Sequence, residues 1–146
     1  MEKSIAFNIE EKNFSNSKNM QSLSLAYVGD GIFDLYVREY ILKNHLGKIN
    51  SLHKKTSTIV NASAQAKFLT YLLAENFLTK EELEIANRAK NKKNNTKAKN
   101  ATIMEYKLAT ALEAIFGYNY LEKNFSRLNE LFSFIIKKIE DDSDEK

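Results

Sequence analysis

Three carboxylates stand inside segments that are otherwise apolar and helical in pattern. Asp30 and Asp34 interrupt Leu25-Ala-Tyr-Val-Gly-Asp30-Gly-Ile-Phe-Asp34-Leu-Tyr-Val-Arg38, and Glu113 interrupts Tyr106-Lys-Leu-Ala-Thr-Ala-Leu-Glu113-Ala-Ile-Phe-Gly117-Tyr-Asn-Tyr-Leu121. An ionised carboxylate taken out of water needs a cation, a hydrogen-bond network or a metal to offset its lost hydration. Two plainer readings stand beside the chemical one. Asp30, flanked by Gly29 and Gly31, fits a helix cap, and Asp34 fits a helical ion pair with Arg38 four residues on. Alternatively, Asp34 lies one turn after Asp30, and both project into one site. The chain has no cysteine and only two histidines, His45 and His53. That excludes a disulfide framework and a thiolate metal centre and disfavours zinc, so any metal must be held by oxygen.

A second feature carries charge of the opposite sign. Arg88 to Lys99 holds six cations and no acid in twelve residues, with Asn94-Asn95 breaking the helical pattern. Such a run is either a solvated face or a track for an anionic polymer. The formal net charge is +3, but the acids of Glu140 to Lys146 account for a local −4 and leave +7 on the remainder, compatible with an anionic partner.

The elements that must position these groups are helices. There is no proline, there are four glycines, and apolar residues recur at helical spacing. The pattern predicts an all-α chain with helices over Ser22–Leu46, Ile49–Glu75, Thr79–Lys92, Thr102–Phe116 and Ser126–Ile139, the second of them open to a break near Val60–Ser63. Thr79-Lys-Glu-Glu82 has the form of a capping box. One domain is expected over 21–139, after a lead-in at 1–20 in which Phe7, Ile9 and Phe14 are possible anchors, and before a solvated acidic tail at 140–146. No apolar run approaches the ~20 residues that cross a bilayer and 1–19 lacks the apolar segment of a signal peptide, so no membrane partner and a cytoplasmic location are expected.

Val28-Gly29-Asp30-Gly31 and Glu113-Ala114-Ile115-Phe116-Gly117 carry a family resemblance. The sequence resembles the ribonuclease III catalytic domain, whose signature helix has a Leu-Gly-Asp-Ala-type motif and whose later helix has a Glu-Ala-(apolar)-(apolar)-Gly motif. It resembles more closely the short Mini-ribonuclease III group, which lacks a double-stranded-RNA-binding domain, through Ala26 to Asp30 and Leu35 to Arg38. Leu52-His53-Lys54-Lys55, Ala64-Gln65-Ala66-Lys67, Phe77-Leu78-Thr79 and Arg88-Ala89-Lys90-Asn91 follow in the family's order, so the resemblance spans Gln21 to Leu121.

The resemblance implies a ribonuclease III-like helical domain acting as a two-fold homodimer, with helices that cross to bring Asp30 and Glu113 into one catalytic, metal-holding site. It implies Mg2+, with Mn2+ as substitute, and hydrolysis of phosphodiesters in double-stranded or structured RNA. The implied role is maturation of the large-subunit (23S) ribosomal RNA precursor, with ribosomal protein in the context. The larger ribonuclease III group has further acids four residues before the signature Asp and three before the later Glu. Ala26 and Thr110 stand there, leaving open the metal number, whether Thr110 or Asp34 joins the shell, and a non-catalytic RNA-binding or ribosome-associated module as the alternative.

Duplex RNA is recognised through phosphates and 2′-hydroxyls, for which Arg88, Lys90, Asn91, Lys92, Lys93, Lys97 and Lys99 are the candidates, with Asn94 a further 2′-hydroxyl partner and Lys54, Lys55 and Lys67 weaker ones. Tyr27, Phe33, Tyr36, Tyr118 and Tyr120 fit core or interface positions better than base-stacking platforms.

Overall fold

The computed structural model describes residues 17–45, 47–92 and 101–144. Six helices make up the described chain: α1 (Ser22–Asn44), α2 (Ile49–Val60), α3 (Ala62–Ala74), α4 (Lys80–Asn91), α5 (Ile103–Leu121) and α6 (Phe125–Asp144). Among the described residues there is no strand, as the apolar spacing predicts. The long second segment is two helices. Asn61 ends α2 and caps α3, its side chain accepting from the Ala64 amide at 2.8 Å, so the chain turns where only a small polar residue marks it.

Helix α5 is the axis of the domain. Ala109 to Leu112 and Ala114 to Gly117 are all buried, and a helix apolar all round has to be surrounded. The surrounding helices are α1, α3, α4 and α6. α1 instead buries a single stripe, Leu25, Gly29, Phe33, Val37 and Ile41, and leaves its other side to solvent. Phe33 links α1 to α5 and α6 within the one core, its ring 5.2 Å from Phe116 and 6.0 Å from Phe132.

The ends of the helices are fixed locally. Thr79 and Glu82 form the expected capping box at α4, and Thr102 and Glu105 form a second at α5. α3 and α5 both close by paired bonds back into their last turns, with Asn76 (φ 53°) and Lys123 (φ 59°) in the left-handed position usual for glycine. Glu82 is 1% exposed yet ionised. Burial would raise its pKa, but the Arg127 guanidinium, the Thr79 amide and the Asn119 amide together hold it below the usual carboxylate range. This network ties α4, α5 and α6 together.

Two helices end later than expected, the first being α5, which runs past Phe116 to Leu121. α6 does not stop at Ile139 but runs to Asp144, into the segment read as a solvated tail. Partners stabilise it there: Tyr40 donates to Glu140, and Lys67 pairs with Asp142 at 2.9 Å. The lead-in is described only from Ser17, a fully buried residue in a short 3-10 turn over Ser17–Asn19. Phe7, Ile9 and Phe14 lie outside the described residues.

Candidate active site at the crossing of α1 and α5

Gly29 and Gly117 make the site. A Cβ on Gly29 would lie 1.6 Å from the Glu113 carbonyl oxygen, and one on Gly117 would lie 1.9 Å from that of Leu25. Both are impossible contacts, so the backbones of α1 and α5 touch at this point. Only glycine permits such an approach. The consequence is chemical, because Asp30 follows Gly29 and Glu113 lies one turn before Gly117. The crossing brings together two carboxylates that are 83 residues apart.

Their contact appears in the titration of Glu113. Burial raises its pKa, the Asp30 charge and a hydrogen bond with Asp30 raise it further, and it reaches about 8. A nearby Gln65 amide acts in the opposite sense and is too weak to offset these. Glu113 thus holds a proton at neutral pH, with exposed Asp30 beside it. A divalent cation between the two groups would displace that proton and cancel the repulsion. Such a donor set suits magnesium, which needs only one or two protein carboxylates besides water and substrate oxygens.

The cap reading of Asp30 is excluded, since α1 begins eight residues earlier at Ser22. Asp34 takes its plainer reading: Arg38 Nε donates to its carboxylate at 2.7 Å. Among the described residues no group of three or more acidic, His or Cys side chains is arranged to hold a metal. At the two positions where further acids were sought, Ala26 is buried and Thr110 donates its hydroxyl to the Tyr106 carbonyl at 2.9 Å. Thr110 therefore serves its own helix.

The basic run begins on α4. Lys92, at its end, shares a small cleft with Leu23, Tyr106, Lys107 and Thr110, one turn from Glu113. Lys90 is half-buried, Asn91 and Lys92 are exposed, and Lys93, Lys97 and Lys99 lie outside the described residues, as does Asn94. Arg88 is spent on the fold: it donates to the carbonyls of Lys18 and Met20 at 2.8 and 3.0 Å and to Ser22 Oγ, which fastens the lead-in to α4. Lys67 is held by Asp142. Lys54 is exposed and Lys55 half-buried on α2.

Gln65 was legible only as one letter of a family-like string. The available signal was its register, a polar residue on the stripe of Ala66, Phe68, Leu69 and Leu72 that α3 buries.

Residues 23–124 match the model of the Ribonuclease III domain family. The chain is 39% identical over 135 residues to the Mini-ribonuclease 3 of Clostridium tetani, covering 92% of this chain and 88% of that protein. It is 42% identical over 119 residues to the Mini-ribonuclease 3 of Staphylococcus aureus, covering 82% and 89%. A crystal structure of a Fusobacterium nucleatum protein superposes with a TM-score of 0.74 at 38% identity, over 82% of this chain and 94% of that one.

Proposed function

Because this chain belongs to the ribonuclease III family, in its Mini-ribonuclease 3 branch, we propose that this endoribonuclease uses Asp30 and Glu113 to hold Mg2+, or Mn2+ in its place, and hydrolyses phosphodiesters of double-stranded RNA. The observation that carries the reading is the glycine crossing, which buries Glu113 and sets it beside Asp30, so that burial first and the Asp30 charge second raise its pKa to about 8. When bound, the ion supplies an activated water and neutralises charge that develops on the phosphate. Asp30, the exposed partner, and Glu113, the more buried one, would hold the ion, Glu113 as its ionised form. The touching backbones of α1 and α5 fix the separation, so little reorganisation is needed at the moment of reaction.

Lys90, Asn91 and Lys92 are assigned to the phosphate backbone, supported by the cleft that Lys92 shares with Thr110, and Lys93, Lys97 and Lys99 continue the same positive run in the sequence. Phosphate and 2′-hydroxyl contacts of this kind suit an A-form duplex, whose base edges are poorly accessible. Tyr27, Leu35 and Leu42 are 84%, 59% and 65% exposed on the outer side of α1. An apolar stripe of this size supports a two-fold homodimer, in which two sites would face the two strands of one duplex. Precursor of the 23S ribosomal RNA, in a ribosomal-protein context in the cytoplasm, is the substrate we assign. Among the described residues no helix is long and apolar enough to cross a membrane.

Ala26 and Thr110, in place of two acids, favour one rival: an RNA-binding module with the same fold and no cleavage. Incubating the purified protein with duplex RNA, with Mg2+ or with EDTA, separates the two. Ion-dependent cuts support the enzyme, and tight binding with intact RNA in both tubes supports the module.

A further inference from the structure

Gln65 is 2% exposed, and its Nε2 has no hydrogen-bond partner among the described residues. A buried donor left unsatisfied destabilises the fold. A methionine or leucine at this position of α3 would fill the same space without that penalty, so the fold alone gives no reason for an amide. Its surroundings do. Gln65 comes from α3, which packs on α5, and its amide lies against the Glu113 carboxyl. A carboxylate has acceptor lone pairs on both oxygens, enough for an ion and a neighbouring N–H together.

We propose that Gln65 is a positioning residue, whose side-chain N–H donates to the Glu113 carboxylate once that group takes up a divalent ion, thereby fixing which carboxylate oxygen faces the ion. This rests on the reading of Asp30 and Glu113 as an ion-holding pair. The amide is unsatisfied in the free protein and satisfied in the loaded one. Groups that orient a metal ligand in this way typically contribute 10–100-fold to ion affinity.

The test uses the full chain and Mn2+ without RNA. Gln65→Met should melt in EDTA no lower than wild type, since an orphan donor is removed at similar volume, and should bind Mn2+ about 10–100-fold more weakly by calorimetry. Excess Mn2+ should restore its kcat, with the KM for duplex RNA unchanged. Gln65→Leu provides a second apolar replacement if methionine is poorly accommodated. In wild-type protein, saturating Mg2+ should move the Gln65 side-chain amide protons downfield and protect them from exchange, a readout that needs no variant. Unchanged Mn2+ affinity with a lower melting temperature would reduce Gln65 to a core filler. A raised KM for RNA at saturating Mn2+ would make it a substrate contact, and an amide unmoved by Mg2+ would overturn the proposal directly. Glu113→Gln is the control. If that variant binds Mn2+ like wild type, the ion-pair reading itself fails, whatever Gln65→Met does.

Discussion

Gly29 and Gly31 flank Asp30, and adding one methyl group to each should have opposite effects. At Gly29 the new Cβ would sit 1.6 Å from the Glu113 carbonyl oxygen, 2.6 Å from its carbon and 2.8 Å from the Gly117 nitrogen. All three are backbone atoms and cannot rotate aside. An ordinary carbon–oxygen contact is ~3.3 Å, so α1 and α5 must part by about 1.5–2 Å, and overpacking of this kind costs about 1–3 kcal/mol or more. The better helix propensity of alanine returns at most ~1 kcal/mol of this. Gly31 meets nothing within 4 Å, so Gly31→Ala should stabilise by about 0.5–1 kcal/mol through the unfolded chain alone. Function should follow geometry. Gly29→Ala separates Asp30 from Glu113 and should cut RNA cleavage by about 100-fold, the scale expected for a misplacement near 1 Å, while Gly31→Ala should cleave normally. Thermal melts and single-turnover cleavage of both variants make the test. Wild-type stability and cleavage in Gly29→Ala would refute the helix crossing as the device that assembles the site.

Three further outcomes follow from individual side chains. Glu113 has a folded pKa of about 8, above its unfolded value near 4.5, so the folded chain holds a proton that the unfolded chain loses, and ion-free stability should fall as pH rises from ~4.5 to ~8. The full shift corresponds to roughly 5 kcal/mol, which screening at this half-open site reduces to roughly 2; Glu113→Gln should abolish the slope, and parallel melting curves for variant and wild type in EDTA from pH 5 to 9 would refute the coupling. Asp34→Asn should cost no more than ~0.5 kcal/mol, because its exposed pair with Arg38 spans one turn, and should slow cleavage far less than Asp30→Asn. Activity as poor as that of Asp30→Asn at unchanged melting temperature would place Asp34 in the metal shell. Replacing Lys90, Lys92 and Lys93 together with alanine should make the log–log salt dependence of duplex binding shallower by about two to three, at similar cost for unrelated sequences, whereas an identical slope would leave these lysines a solvated face.

Local chemistry was legible in the sequence and long-range geometry was not. The Thr79–Glu82 box, the Asp34–Arg38 pair and the apolar helical pattern of α5 depend on residues a few positions apart, and the structure has all three. The break at Asn61 was visible only as a weak point, because an asparagine cap costs a single letter. The juxtaposition of Asp30 and Glu113 was implied by family likeness, since its physical cause, two glycines on different helices meeting backbone to backbone, leaves no periodic trace. Arg88 and Glu140 misled for a related reason. A cation in a basic run and an acid in an acidic one read as solvated, yet the first holds carbonyls of the lead-in and the second accepts from Tyr40, partners 66 to 100 residues distant in sequence. Gln65 was missed as a functional group because a lone polar residue on a buried stripe has no meaning until its neighbour on another helix is known.

The most direct measurement is the Mg2+ dependence of single-turnover cleavage of a duplex RNA by wild type, Asp30→Asn and Glu113→Gln. Each replacement keeps shape and removes one anionic ligand, so each variant should retain its helical circular dichroism and lose about 100-fold or more in rate even at saturating Mg2+, while wild type cleaves only when the ion is present. Near-wild-type turnover by either variant at saturating Mg2+, or cleavage by wild type in EDTA, would contradict a paired-carboxylate metal site at the crossing of α1 and α5.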